Sequence, residues 1–414
     1  MLPLVKTEKV DLKSYDKIVS EDVLNEVLFL SEQLKGLKVF HVNSTSEGGG
    51  VAEVLKTLVP LMKGVGIDAE WFTIPPKESF FEVTKKIHNN LQGASLEISD
   101  KEREEYFSYI ENVSELTKDM NPDVWIVHDF QPAGLVLHSD FSCPSILRIH
   151  VDLASPDPET WRFLSDIACS YDKVILSSDD FIKEELKDKA VVTSPAIDPL
   201  STKNILMSAS EAFKILERFK INTSKPIISQ VSRFDDWKDP VGVIKAYRIA
   251  KKEVKDLQLV LVGFIVAKDD PEADRIYKEV LEEAGGDPDI FIFGDVSALE
   301  GLEIEAFTSA VQTASSVVLQ KSVREGFGLT VSEAMWKEKP VVAGDVGGIK
   351  TQIRSGFNGF LVSSPEEASE KIVELISNPD SALVIGENAK KTVIEKFLMP
   401  RLLRDYLRLI NNER

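Results

Sequence analysis

Apolar residues along this chain come in short continuous runs separated by stretches of helical period, and the alternation is played out twice. In the first half the runs predict strands at Lys38–Asn43, Glu70–Thr73, Val124–His128, Ile146–His150, Val174–Ser177 and Ala190–Thr193. Between the first two, Val51, Val54, Leu55, Leu58, Leu61 and Met62 share one helix face. In the second half strands read at Pro226–Val231, Leu257–Gly263, Ile290–Phe293, Val317–Gln320, Pro340–Ala343 and Gly359–Val362, most of them followed by a helix. Continuous Val/Ile/Leu runs alternating with helices mark parallel sheets covered on both faces, so the fold class is α/β. Two such arrays predict two doubly wound, Rossmann-like domains. The polar stretch Asp198–Lys225 divides them, giving a first domain over 1–205 and a second over 206–395. The first 37 residues read as an acidic, helix-rich extension. A last helix, within about 396–414, gathers Leu402, Leu403, Tyr406, Leu407 and Ile410 and is free to pack back on the first domain.

Composition narrows the picture. The 414 residues carry a formal charge of −19, which disfavours nucleic acid and anionic membrane surfaces as partners. The longest charge-free apolar run, Leu257–Ala267, is too short to span a bilayer, and the N-terminus lacks a signal-peptide core. Cys143 and Cys169 alone build no disulfide framework or metal knuckle, so a cytoplasmic protein is expected. Lys outweighs Arg and Glu outweighs Gln, a bias shared with proteins of hot environments. The acidic runs Asp269–Asp274 and Asp179–Asp180 read as solvated loop and helix-start residues rather than a metal site.

Ligands of doubly wound folds bind where strands end and helices begin. Strand Lys38–Asn43 runs into STSEGGG, where Gly48, Gly49 and Gly50 let the backbone approach a ligand and aim N–H groups at it. No GK[ST] follows, so this is not a nucleotide-triphosphate loop, and a dinucleotide fingerprint is missing too. After Val231 comes SRFDDWKDP, whose Arg233 and Lys238 are placed to clasp a diphosphate or else to pair with the neighbouring aspartates. After Gln320 comes KSVREGFGLTVSEAM. Gly326 and Gly328 open a helix, so the amides of Gly326, Phe327, Gly328 and Leu329 face whatever lies above the sheet. Glu325 precedes that cluster and Glu333 lies about a turn into the helix. They suit two hydroxyl-binding carboxylates, an acid/base pair, or an N-cap plus a solvated helix residue.

These motifs, in this order, resemble the retaining glycosyltransferases of family 4. EGFGLTVSE is similar to their E-x7-E motif, SRFDDWK to their phosphate-binding Arg and Lys, and RIH to their active-site histidine, over about residues 38 to 395. The resemblance implies the GT-B fold, two Rossmann-like domains facing across a cleft. It also implies that Arg233 and Lys238 hold a donor diphosphate, Glu325 the transferred sugar and Glu333 the ribose. Gly48–Gly50 would cover phosphate and acceptor, and the base would meet the backbone around Val296. His150 would sit beside the sugar's primary hydroxyl. By itself His150, ending a buried strand, reads more often as structural than functional. Asp129, in VHDFQPAG, ends another strand and suits an acceptor sugar's hydroxyls, whereas His41 and His128 belong to the strands themselves.

More finely, GGGVAEVL, HDFQPAG, RIHVDL and QVSRFDDWKDPVGVI look like the branch of the family that joins a nucleoside-diphosphate glucose to free glucose, giving α,α-trehalose. Trehalose-6-phosphate synthesis and trehalose phosphorolysis are the rivals within the class; NDP-sugar 2-epimerisation is the rival outside it. Asn43 to Leu55 has no basic residue, and Arg103, Arg148 and Arg162 are the only arginines before residue 200, which favours a neutral acceptor. The resemblance requires no metal, leaves stimulation by Mg²⁺ open, and leaves a homodimer open.

Overall fold

The structure, a computed structural model, describes residues 1–139, 141–264 and 271–413, and the side chains of residues 271 and 272 are not described. The end of the apolar run Leu257–Ala267 and the start of the acidic run Asp269–Asp274 therefore lie outside the described residues. The chain divides into two compact units, one of Met1–Ala196 with Phe397–Arg414, the other Ile197–Lys396. The segment 197–205, read from the sequence with the first domain, thus belongs to the second unit.

The first unit contains β1 (Leu4–Val5), β2 (Lys38–Asn43), β3 (Asp68–Thr73), β4 (Val124–His128), β5 (Ser145–Arg148), β6 (Lys173–Leu176) and β7 (Ala190–Val192). They form one sheet in the order β1-β3-β2-β4-β5-β6-β7. All neighbours are parallel except β1, which adds antiparallel to the β3 edge. The N-terminal extension therefore holds an edge strand as well as the expected helix, Glu21–Gln33. A two-residue strand is below what any periodicity can signal. β4 is buried along its whole length, as a central parallel strand must be. The final helix, Met399–Asn412, packs against helices Glu21–Gln33 and Gly49–Gly64 of this unit. It buries Leu402, Leu403, Tyr406, Leu407 and Ile410, and Arg401 donates to the Pro195 carbonyl at 2.9 Å.

The second unit contains β8 (Ile227–Val231), β9 (Gln258–Val262), β10 (Ile290–Phe293), β11 (Val317–Gln320), β12 (Val341–Gly344) and β13 (Phe360–Val362). The order β10-β9-β8-β11-β12-β13 is all parallel. Counted within the unit this is the 3-2-1-4-5-6 order of dinucleotide-binding folds. Strands β8, β9, β11 and β12 are wholly buried. Both sheets are α/β and doubly wound, as the alternation predicts. Each has a switch point where strand order reverses, between β2 and β4 in the first unit and between β8 and β11 in the second. Loops leaving the carboxyl ends of those strands diverge there and open a crevice.

Candidate active site

At the switch point of the second unit, the loops after β8 and β11 bring Lys238 and Glu325 together, Nζ to Oε2 at 2.6 Å. Their side chains are only 17% and 11% exposed, so the pair is held rather than waving in solvent. Its backbone is fixed from the sheet: Gln230, on β8, donates to the Lys238 carbonyl at 3.0 Å, and the Lys238 amide donates to Asp235 at 3.1 Å. Ser322 donates to the same Glu325 oxygen at 3.1 Å. Asp239 caps the helix Pro240–Ala250 through the Gly242 amide and pairs with the buried Lys321 ammonium. Arg233 differs: its side chain is 71% exposed and leans on Asp235 at 3.2 Å.

Beyond Glu325, Gly326 and Phe327 are buried and Gly328 caps the helix Leu329–Trp336. This loop is braced from the segment that follows β12. Gln352 donates to the carbonyls of Phe327 at 2.5 Å and Gly328 at 3.3 Å, and Ser332 donates back to Gln352 at 2.6 Å. The Gly348 amide donates to the Glu325 carbonyl at 3.0 Å. A Cβ on Gly348 would lie 2.2 Å from the Gly326 carbonyl oxygen, so only glycine permits this approach.

Glu333 is fully buried, which removes the reading of a solvated helix residue. Lys203 brings its ammonium to 2.6 Å from Oε1. Neither carboxylate oxygen has a well-formed hydrogen bond among the described residues. With the Lys203 ammonium at one oxygen, the buried carboxylate keeps lone pairs able to accept from hydroxyls. Val296 is 40% exposed in the short turn Val296–Leu299 that follows β10.

In the first unit, Gly48 and Gly49 have φ of +71° and +75° with open space where a Cβ would stand, and they lead into the helix Gly49–Gly64. Gly50 is already in that helix. Asn43, accepting from Trp71 at 2.7 Å and donating to the Thr45 carbonyl at 2.7 Å, ties the start of the loop to the end of β2. Asp129 follows β4 with φ +61° and ψ 175°, a region that costs a non-glycine residue about 1–3 kcal/mol. Its carboxylate accepts from the His150 amide at 2.6 Å. His150 in turn contacts His128, and His128 contacts His41, each at 3.0 Å. Arg148 is buried and turned inward, donating to the Thr193 carbonyl at 2.6 Å and to Ser177 at 3.2 Å. Within the second unit the motifs did not mark Lys203 beside Glu333 or Gln352 behind Phe327, and within the first they did not mark His128 and His41 as partners of His150.

Burial dominates the titration of this group. It holds His41 down to about 3 and His128 and His150 well below their ordinary value. It raises Asp129 to about 7, against the pull of the His150 amide and the Arg148 charge. Between pH 4 and 6.5 unfolding lets the three imidazoles take up protons, while Asp129, protonated in the fold, releases one. Net proton uptake on unfolding means stability rises with pH across that window. Asp129→Asn removes the one opposing group and tolerates the backbone, so its melting temperature should gain on the parent's steadily from pH 4 to 7. A pH-independent difference in thermal melts between the two would contradict the buried, protonated Asp129.

Among the described residues no helix is long and apolar enough to cross a membrane. Residues 41–183 match the family described as Trehalose synthase, N-terminal domain, and residues 212–392 match Glycosyl transferases group 1. The chain is 43% identical to the trehalose synthase of Thermococcus litoralis, over 97% of both chains. It is 41% identical to that of Rubrobacter xylanophilus, over 99% of this chain and 98% of the other. Its fold resembles the α,α-trehalose-phosphate synthase (UDP-forming) of Burkholderia xenovorans solved with glucose-6-phosphate, with a TM-score of 0.72 at 12% identity, covering 91% and 100% of the two chains. On full-length identity and on two sheets of the GT-B type, the chain belongs to the trehalose synthase family of glycosyltransferases.

Proposed function

We propose that this enzyme transfers glucose from a nucleoside-diphosphate glucose (ADP-, UDP- or GDP-glucose) to free glucose, giving α,α-trehalose with retention of configuration. The observation that carries the reading is the Lys238–Glu325 pair at the switch point beside the amides of Gly326, Phe327, Gly328 and Leu329. A cation next to backbone N–H groups at a strand's carboxyl end suits a diphosphate. Arg233, exposed, completes the clasp. Glu325 accepts from hydroxyls of the transferred sugar. The buried Glu333, backed by Lys203, accepts from the ribose, and Val296 meets the base through its backbone. Gly48, Gly49 and Gly50 cover phosphate and acceptor, His150 meets the donor sugar, and Asp129 addresses the acceptor.

In the reaction the bond from the sugar's anomeric carbon to the diphosphate oxygen breaks while a bond to the acceptor oxygen forms on the same face. The departing oxygen takes the acceptor's proton. No protein carboxylate needs to attack, because positioning and neutralising the leaving group supply the catalysis. A sugar found covalently attached to Glu325 would defeat this. A neutral acceptor is favoured because Arg148, the arginine nearest His150 in sequence, is committed to Thr193 and Ser177. A phosphorylated acceptor would need a free cation in its place.

The test is to incubate the protein with each donor and either glucose or glucose 6-phosphate, and to identify the product by NMR. The expected result is α,α-trehalose and a nucleoside diphosphate from glucose alone. Trehalose 6-phosphate as sole product, or an epimerised donor without acceptor, would overturn the reading.

A further inference from the structure

The three histidines form a line across the adjacent strands β2, β4 and β5. His41 Nδ1 lies 3.0 Å from His128 Nε2, and His128 Nδ1 lies 3.0 Å from His150 Nε2. Neighbouring ring planes lie within 23° and 27° of parallel with centroids 5.4 and 5.3 Å apart, so the rings meet edge to edge, as in-plane N–H···N bonds require. The far end of the line is closed by Met62, whose Sδ is 3.4 Å from His41 Nε2. His41 and His128 have 0% and 1% of their surface exposed, while His150 is half-buried.

We propose that Met62, through His41 and His128, fixes the tautomer of His150, leaving its Nδ1 as a bare hydrogen-bond acceptor for a hydroxyl of the sugar donor. The argument is one of proton counting. A thioether sulfur accepts hydrogen bonds and has no proton to give. His41 Nε2 facing it must therefore carry the hydrogen, since the alternative sets two lone pairs against each other in a buried site. A neutral imidazole has one N–H, so His41 Nδ1 is the acceptor and His128 Nε2 the donor. The same step repeats: His128 Nδ1 accepts, His150 Nε2 donates, and His150 Nδ1 carries a lone pair. The burial that depresses all three histidines keeps them neutral, as the count requires. An acceptor at this place recognises a hydroxyl and repels a phosphate oxygen, so His150 would read the sugar rather than the leaving group. Met62, His41 and His128 are thus positioning residues.

The role given to Nδ1 rests on the proposed placement of His150 at the donor sugar; the tautomer order does not. The chain has five histidines, so nitrogen NMR of protein labelled at histidine with nitrogen-15 resolves them. The expected spectrum has His41, His128 and His150 all protonated at Nε2. A proton on His150 Nδ1 overturns the proposal. In Met62→Leu, a swap of similar volume, the sulfur is gone and both proton orders become open. His150 should then show both tautomers, with the turnover rate down by up to about tenfold, the worth of one net hydrogen bond. An unchanged His150 tautomer in that variant removes Met62 from the relay. If Met62→Leu does not fold, the parent spectrum still decides. Glucosyl transfer unaffected by His150→Ala, with the Nε2–H order intact, would overturn the sugar contact and leave the tautomer order standing.

Discussion

Replacing Lys238 by alanine is expected to lower the rate of glucosyl transfer by two to three orders of magnitude while leaving a folded protein. Removal of a single charge-stabilising donor typically costs about 10²–10³ in turnover. Lys238 is firmly placed: Gln230 and Asp235 hold its backbone, and its side chain is 17% exposed beside Glu325. The variant also removes the ammonium paired with the largely buried Glu325, so a lower melting temperature should accompany the lost activity. Arg233→Ala provides the contrast. Its side chain is 71% exposed and leans on Asp235, so activity should fall by about two orders of magnitude with almost no change in melting temperature. Steady-state kinetics with saturating donor, set beside thermal melts, separates the two. Turnover within about tenfold of the parent in Lys238→Ala would end the assignment of this cation to the leaving group.

Gly348→Ala should be as damaging to catalysis by a different route. The new methyl carbon would sit 2.2 Å from the Gly326 carbonyl oxygen and 2.6 Å from the Phe327 Cα. Both are backbone atoms, so no flexible side chain can swing aside. Either the turn Gly347–Thr351 or the loop 326–328 must shift, and the Gly348 amide then loses the Glu325 carbonyl. A displacement of about 1 Å in positioning groups is worth about 10²-fold in rate. Overpacking of this kind also costs about 1–3 kcal/mol of stability. The donor's dissociation constant and the turnover number should both worsen. Near-parental kinetics would show that the loop is not what places Glu325.

Most of the architecture was legible in the apolar pattern, because central parallel strands such as β8, β9 and β11 are buried on both faces and cannot hide. β1 was not legible: two residues paired on an edge leave no period. The glycine-rich loops and the candidacy of Lys238 and Glu325 followed from motifs lying at strand ends, but their pairing with each other did not, since the motif offered Lys238 only its neighbouring aspartates. Gln352 and Lys203 did not, because each acts from a segment whose composition is ordinary and becomes significant only once the chain has folded it against Phe327 or Glu333. The histidine line is intermediate. His41, His128 and His150 lie at or near the carboxyl ends of three predicted strands, yet only the strand order β2-β4-β5 makes them neighbours. Sequence spacing carries no trace of that order. Nor does it announce that Asp129 adopts a backbone region usually left to glycine.

The closing of the first unit by residues 397–414 has a bearing on biosynthesis. As the chain is synthesised, the intervening 197–396 is made before the segment that covers helix Glu21–Gln33. The earlier-synthesised half must therefore wait, with part of its apolar surface uncovered, for the last eighteen residues to arrive. Nascent chains stalled or cleaved just short of Phe397 would be recruited by chaperones, although every strand of both sheets is already present in them.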